Sequence, residues 1–284
     1  MHPVLIPGLP FYSYGLLLFI GFMLAYALGT RLARRDGVSQ DVIGDLLVIT
    51  IVTGVVGARI LYVILNYNQF HSFLDLFKIW QGGLAFFGGL ALAAGSVIAY
   101  LRWRRLSIGK VADIVAPCIA LGLVFGRIGC FLNGCCWGAV CPERFPLGVK
   151  FPRLESRIGE TVYATGSYAY LDHLKKGLIP KTATQSLPVY PTQLCASLAA
   201  GLICVVLLLA RRIRQWNGQI FALFGMLYPA ARFVEEIFRA DTPPESRWWG
   251  LTPFQVISIL FFVGSAVVLA AMALRGRAAP RLNG

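Results

Sequence analysis

Arg59, Arg127 and Arg232 each interrupt a stretch of chain that is otherwise apolar. A charge at the centre of a membrane helix costs at least about 2.5 kcal/mol, so such residues normally face a protein interior or a water cavity and mark a binding or transport site. A guanidinium presents a rigid fork of donors that matches phosphate oxygens, which makes a phospholipid headgroup the natural anion at this depth. Glu235 and Glu236 share a segment with Arg232, and Arg232 with Glu236 is an i,i+4 pair, so a structural ion pair is the alternative reading of Arg232. Arg59 and Arg127 have no acid close by in sequence.

A second set of chemical groups follows Arg127 directly. Residues Gly126 to Gly138 read GRIGCFLNGCCWG, which places Arg127 about one helical turn before Cys130 and about two before Asn133 and Cys135, all bordering one outward-opening pocket. Cys130, Cys135, Cys136 and Cys141 follow a C-x4-CC-x4-C spacing that lacks the C-x2-C pairs of common zinc sites, so the spacing predicts no metal. Packing as small hydrophobes, or a disulfide such as Cys136 with Cys141 on an oxidising outer face, are the readings left open. Cys118, Cys195 and Cys204 lie in apolar segments and read as packing residues. His2, His71 and His173 fall in the tail or in loops, with no nucleophile paired to any of them.

The elements that must position these groups are membrane helices. Apolar residues make up 57% of the chain and charged residues 14%, and mean hydropathy is +0.68, outside the balance of soluble domains. Apolar runs predict seven spans: Phe11 to Thr30, Leu46 to Leu65, Leu84 to Leu101, Val111 to Leu132, Gln193 to Ala210, Gln219 to Phe238 and Leu251 to Leu274. Each is near the roughly 20 residues that cross a bilayer as helix, and no run of alternating strands suggests a barrel. The fold expected is an all-α integral membrane protein, one polytopic domain over residues 1–284. A head at the outer face is expected from the long loop 133–192 between the fourth and fifth spans. The first span reads as retained, with no convincing cleavage site before Arg31.

Basic residues cluster after the first, third, fifth and seventh spans, which puts the N-terminus outside and the C-terminus in the cytoplasm. With that orientation the three arginines lie at similar depth, roughly 20 to 24 Å from the inner ends of their helices. The net charge of +13 is explained by loops facing anionic lipid, and the pattern argues against a nucleic-acid partner. Gly54 and Gly57, and Gly88 and Gly89, suit close helix contacts. The run QGGLAFFGGL from Gln81 to Leu90 predicts irregular, cavity-lining backbone.

With these residues in place, the chain resembles the prolipoprotein diacylglyceryl transferases nearly end to end. The resemblance is carried by Tyr14-Gly15, by IWQGGLAFFGGL from Ile79 to Leu90, and by GRIGCFLNGCCWG. Further along, Phe151-Pro152, YPTQL from Tyr190 to Leu194 and RFVEEIFR from Arg232 to Arg239 complete it. It implies a bacterial inner-membrane enzyme that moves the diacylglyceryl group of phosphatidylglycerol to the lipobox cysteine thiol of a preprolipoprotein. A thioether forms and glycerol phosphate leaves, with no metal or soluble cofactor. By the same resemblance Arg127 and Arg232 are the catalytic arginines and bind the phospholipid; the depth of Arg59, with no acid close by in sequence, adds it to the phospholipid-binding residues. Tyr14 lines the lipid site, Asn133 and Gly134 shape the headgroup pocket, Glu236 holds Arg232, and the loop helps receive the lipoprotein signal region.

Four positions depart from the family pattern, which usually has histidine at Phe87, asparagine at Cys130, and glutamate at Cys135 and at Ala196. A benzyl ring neither accepts nor donates a proton, so Phe87 cannot be a general base. Two readings stay open: an active transferase in which arginine electrostatics suffice, and a catalytically altered or inactive lipid-binding homologue. A transporter is the poorer third, since no inverted repeat is visible.

Overall fold

A computed structural model describes residues 13–69, 82–153, 155–158, 161–164, 167–242 and 247–278. The helices are α1 (Ser13–Arg35), α2 (Gln40–Leu65), α3 (Phe86–Trp103), α4 (Ile108–Asn133), α5 (Tyr168–Lys175), α6 (Thr192–Ala210), α7 (Gln219–Ile237) and α8 (Pro253–Ala278). Six of them (α1 to α4, α6 and α8) are long and apolar enough to cross a membrane. The chain is a multi-pass membrane protein. α7 spans 19 residues but carries three charged residues, Arg232, Glu235 and Glu236. The expected start of the first span at Phe11 and the stretch Ile79 to Gln81 lie outside the described residues.

The described chain is helical as expected, with one short hairpin added in the long loop, β1 (Glu155–Ile158) and β2 (Thr161–Ala164), paired antiparallel with Glu155 opposite Ala164. Its two short strands sit inside a polar loop, so no apolar run announced them.

The chain divides into two compact units. The unit Tyr26–Val115 holds α2 and α3. Here Gly57 and Gly88 face each other so closely that a Cβ on either would collide with the other's carbonyl oxygen. The chain before α3 passes through Gly82 and Gly83 at positive φ, 86° and 80°, and the Ala85 amide donates to the Ala58 carbonyl of α2 at 2.9 Å. The irregular backbone expected of this glycine-rich run is therefore confined to its first pair, and the second pair belongs to a helix crossing. Gly88→Ala should destabilise the α2–α3 contact by about 1–3 kcal/mol, because the obstacle is backbone that cannot rotate away. A thermal midpoint in detergent unchanged by this substitution would contradict the crossing.

The unit Met1–Ala25 with Ala116–Gly284 holds the start of α1, most of α4, and α5 to α8. α6 threads polar side chains onto α4 carbonyls: Ser197 Oγ donates to Val124 at 3.0 Å, and Cys204 Sγ to Pro117 at 3.4 Å. These satisfy groups that lipid cannot. α8 begins with a capping box, in which the Thr252 amide donates to Gln255 Oε1 and the Gln255 amide to Thr252 Oγ1, with Pro253 in the first turn.

Between α4 and α6 the chain forms a small packed body. Phe151, Ala169 and Val189 are its buried centre, with Phe131, Trp137 and Val149 against them. His173 on α5 is buried beside it, and its Nδ1 accepts the Leu187 amide at 3.2 Å. Burial holds its pKa below the ordinary value, with Asp172 opposing and Lys176 reinforcing the shift. The folded state therefore resists a proton that the unfolded chain accepts near pH 6.5, so stability is full above that value and falls as pH drops below it. Hydrogen exchange at the Leu187 amide should show faster opening at about pH 5.5 than at about 7.5, and His173→Asn should remove the difference. The same opening rate at both pH values in the parent protein would refute this.

Candidate active site

The C-terminus of α4 explains how three cysteines meet. The Gly134 amide donates to the Phe131 carbonyl at 3.2 Å and the Cys135 amide to the Cys130 carbonyl at 3.2 Å, while Gly134 adopts φ 75°. This is the paired bonding of a Schellman turn, in which a left-handed glycine reverses the chain over the last helical turn. The bond to Cys130 draws Cys135 back above it, and Cys136, at φ 60°, adds the third thiol. The three Sγ atoms lie within 4.8 Å of one another. The N-terminus of α6 holds this turn in place: Gln193 Nε2 donates to the Cys135 carbonyl at 2.8 Å and Thr192 Oγ1 to the Cys136 carbonyl at 2.9 Å. Hydrogen bonds from Cys130 and Cys135, reinforced by the charges of Arg239 and Arg127, hold the Cys136 thiol well below its usual pKa.

No disulfide joins any of the seven cysteines. The disulfide weighed for Cys136 with Cys141 is not formed. Cys141 is buried beside Gly148, and Cys136 turns to Cys130 and Cys135 instead.

An ion network lies next to the thiols. Arg127 Nη1 on α4 meets Glu235 Oε1 on α7 at 3.0 Å, and Glu235 Oε2 meets Arg232 Nη1 at 3.5 Å. Arg232 Nη2 pairs with Glu236 Oε2 at 2.6 Å, so the i,i+4 pair legible in the sequence is formed. Glu236 Oε1 accepts from Thr242 Oγ1 at 2.8 Å. Arg239 approaches Glu235 at 3.6 Å, and its Nε donates to Asp241 at 2.8 Å. Burial opposes the charge on Arg239, but Asp241 and the neighbouring anions outweigh it and raise its pKa. The Arg232 guanidinium also sits over the Phe254 ring, 5.0 Å from its centre.

Arg127 has no acid close by in sequence, and its acid arrives from a different helix. Glu235 and Arg239 were missed as site members, although 232, 235, 236 and 239 recur at i, i+3, i+4 and i+7 and share one helix face.

Two spaces are lined by α4 and α6. A cavity of about 20 Å³, room for one water, is lined by Arg127, Arg232, Glu235, Tyr228 and Ala196, among others. On the adjoining faces of α4 and α6, an open apolar groove of about 500 Å³ runs past Val124, Ile128, Leu194, Leu198 and Val205. Tyr14 packs against Gly129 of α4, and its phenol is within electrostatic reach of Arg127 and the three thiols. Asn133 and Gly134 form the α4 turn, with the Asn133 side chain hydrogen-bonded to Cys135.

Arg59 belongs to the other unit. Its Nη1 donates to the Gly82 and Gly83 carbonyls at 2.8 and 3.1 Å, which fixes the irregular backbone ahead of α3. Phe87 lies in the first turn of that helix, its ring in edge contact with Phe86.

A family model described as prolipoprotein diacylglyceryl transferase matches residues 3–271. The chain belongs to this family. Relatives named phosphatidylglycerol–prolipoprotein diacylglyceryl transferase occur in distant bacteria. The Clostridium tetani protein is 28% identical, covering 93% of this chain and 94% of its own. The protein of Paracidovorax citrulli is 33% identical over 80% of this chain and 77% of its own. The Escherichia coli protein is 31% identical over 90% and 87%. Within the transferase frame the departures acquire a geometry. Ala196, where a glutamate was expected, lines the cavity into which α7 places Glu235, so a carboxylate is present there from another helix. Cys130 and Cys135, at two of the other three positions, are two members of the thiol cluster.

Proposed function

We propose that this protein transfers the diacylglyceryl group of phosphatidylglycerol to the lipobox cysteine thiol of preprolipoproteins. The observation that carries the reading is the placing of Arg127 and Arg232 on α4 and α7 around one cavity, with an apolar groove on other faces of α4 and α6. The groove suits acyl chains, and the guanidiniums suit the phosphodiester. As the bond between the glyceryl carbon and the phosphate oxygen breaks, charge grows on the departing glycerol phosphate, and donors fixed around it lower the barrier. The nucleophile is the substrate's own thiol, which a cationic site favours as thiolate.

In the ground state Glu235 occupies the arginines, and the cavity beside them holds about one water. Binding a headgroup therefore requires Glu235 to release Arg127 or Arg232. Glu236, tied to Thr242, keeps Arg232 aimed meanwhile. Tyr14 lines the lipid site and Asn133 and Gly134 shape its rim, while Arg59, in the other unit, donates to the Gly82 and Gly83 carbonyls.

α7 is the seventh span, its charges turned toward protein. The N-terminus is outside, the C-terminus is in the cytoplasm of a bacterium, and the body between α4 and α6 is an outer-face head that receives the signal region of the lipoprotein. The membrane is the cytoplasmic one, where both substrates meet.

Mass spectrometry of a lipobox-cysteine peptide, incubated with the purified protein in phosphatidylglycerol proteoliposomes, tests the reading. A diacylglyceryl mass shift is expected. No shift, with a relative from Escherichia coli active in parallel, would favour the altered lipid-binding homologue.

A further inference from the structure

We propose that Cys130, Cys135 and Cys136 form a three-thiolate site for a soft divalent metal ion of the zinc type, whose remaining coordination position takes the thiol of the incoming lipobox cysteine. The second half of this proposal rests on the transferase reading above; the first half does not.

The geometry fits such an ion. Zinc–sulfur bonds of about 2.3 Å in a tetrahedron set sulfur atoms roughly 3.8 Å apart, and the three Sγ atoms already lie within 4.8 Å of one another. They are brought together by backbone and not by chance packing. The Schellman turn at Gly134 stacks Cys135 over Cys130, and Cys136 adopts φ 60°, a conformation that a non-glycine residue holds only when its surroundings enforce it. Gln193 and Thr192 pin the carbonyls of the two adjacent cysteines, the kind of support from surrounding residues that orients metal ligands.

Charge agrees as well. Three thiolates and a divalent ion carry one net negative charge, and Arg127 and Arg239 lie within electrostatic reach. All three cysteines are partly exposed, so ion and substrate have access, whereas the remaining cysteine of this segment, Cys141, is buried elsewhere. Three protein ligands with one open position is the arrangement of catalytic zinc, while structural sites are closed by four.

Such a site would answer a question that the arginines leave open, namely where the substrate thiol loses its proton in a chain with Phe87 at the position expected for a base. A thiol that binds a divalent ion is deprotonated outright. Its proton passes to water, the sulfur attacks the glyceryl carbon bearing the phosphate ester, the carbon–sulfur bond forms, and the carbon–oxygen bond breaks. The electron pair leaves on the phosphate oxygen of glycerol phosphate, held by Arg127 and Arg232. Nothing is oxidised or reduced.

The test uses the full-length protein purified under reducing conditions, stripped of metal with a chelator, and titrated separately with Zn²⁺ and Co²⁺. One zinc per chain is expected by elemental mass spectrometry after gel filtration, together with a thiolate-to-cobalt charge-transfer band. Both should vanish in Cys130→Ser and Cys135→Ser but persist in Cys141→Ser and Arg127→Ala. Transfer by the stripped protein should fall at least tenfold and return with zinc, and the lipobox peptide should shift the cobalt band. Full transfer by the stripped protein overturns the catalytic half while leaving the transferase reading intact. Absence of bound metal, or a disulfide among the three thiols in the isolated protein, overturns the site itself. If neither form transfers while the relative from Escherichia coli does, the transferase reading fails, and the cobalt spectra of the parent and the serine variants still decide the site.

Discussion

Arg127→Ala is expected to lower diacylglyceryl transfer by about 10³-fold, the scale set by removing a fixed donor from developing oxyanion charge. The loss should fall on kcat more than on KM, because the phosphate gains charge only as the carbon–oxygen bond breaks. The fold should survive the substitution. Glu235, the partner Arg127 leaves behind, still meets Arg232 at 3.5 Å and Arg239 at 3.6 Å, so no isolated buried charge results. Arg127→Lys should recover little, since an ammonium lacks the planar fork that spans two phosphate oxygens. Transfer to a lipobox peptide, read beside the thermal midpoint in detergent, separates the two roles. Normal turnover by Arg127→Ala would make the residue structural and remove the main support for the mechanism.

Glu235→Ala should be the most destabilising change in this region, by about 3–5 kcal/mol, the cost of stranding buried charge when one partner of an ion pair is removed. Its carboxylate touches guanidiniums from α4, from α7 and from the segment after α7, so its loss leaves mutual repulsion where there was neutralisation. The cavity suggests the repair. Ala196 on α6 lines the same space as Arg127, Arg232 and Glu235, so Ala196→Glu placed in the Glu235→Ala background should return much of the lost stability. In the parent, the same Ala196→Glu substitution adds a second acid to a nearly filled cavity and should destabilise. Thermal unfolding of the three variants tests the exchange of one carboxylate site for the other. A stable Glu235→Ala, or no rescue, would mean that the ion network is incidental to the packing of α4, α6 and α7.

The helices were legible because lipid leaves the backbone little choice. An apolar run near 20 residues must satisfy its own hydrogen bonds, and predicted spans such as Gln193 to Ala210 and Gln219 to Phe238 fall within one residue of α6 and α7. The observed α2 begins at Gln40, six residues before the apolar run, because Ser39 caps it by accepting the Asp41 amide. That start was written in side-chain chemistry and not in hydropathy. The hairpin and α5 lay in a polar loop with no apolar run of membrane length, although Ser167 caps α5 by accepting the Tyr170 amide.

Sequence by itself determined the chemistry that was available: the bilayer-crossing helices, arginines too costly to be idle, the i,i+4 pair of Arg232 with Glu236, and family membership through motifs in order. Only the tertiary structure decided which charges and thiols meet. Glu235 reaches Arg127 across a gap of more than a hundred residues, and Gln193 reaches the Cys135 carbonyl across 58. Arg59 turns to the Gly82 and Gly83 carbonyls, and a left-handed Gly134 folds a C-x4-CC spacing with no metal signature into three sulfurs within 4.8 Å. Periodicity and hydropathy report what each helix turns toward apolar surroundings, whereas contacts between side chains on different helices depend on how those helices cross and where each one ends.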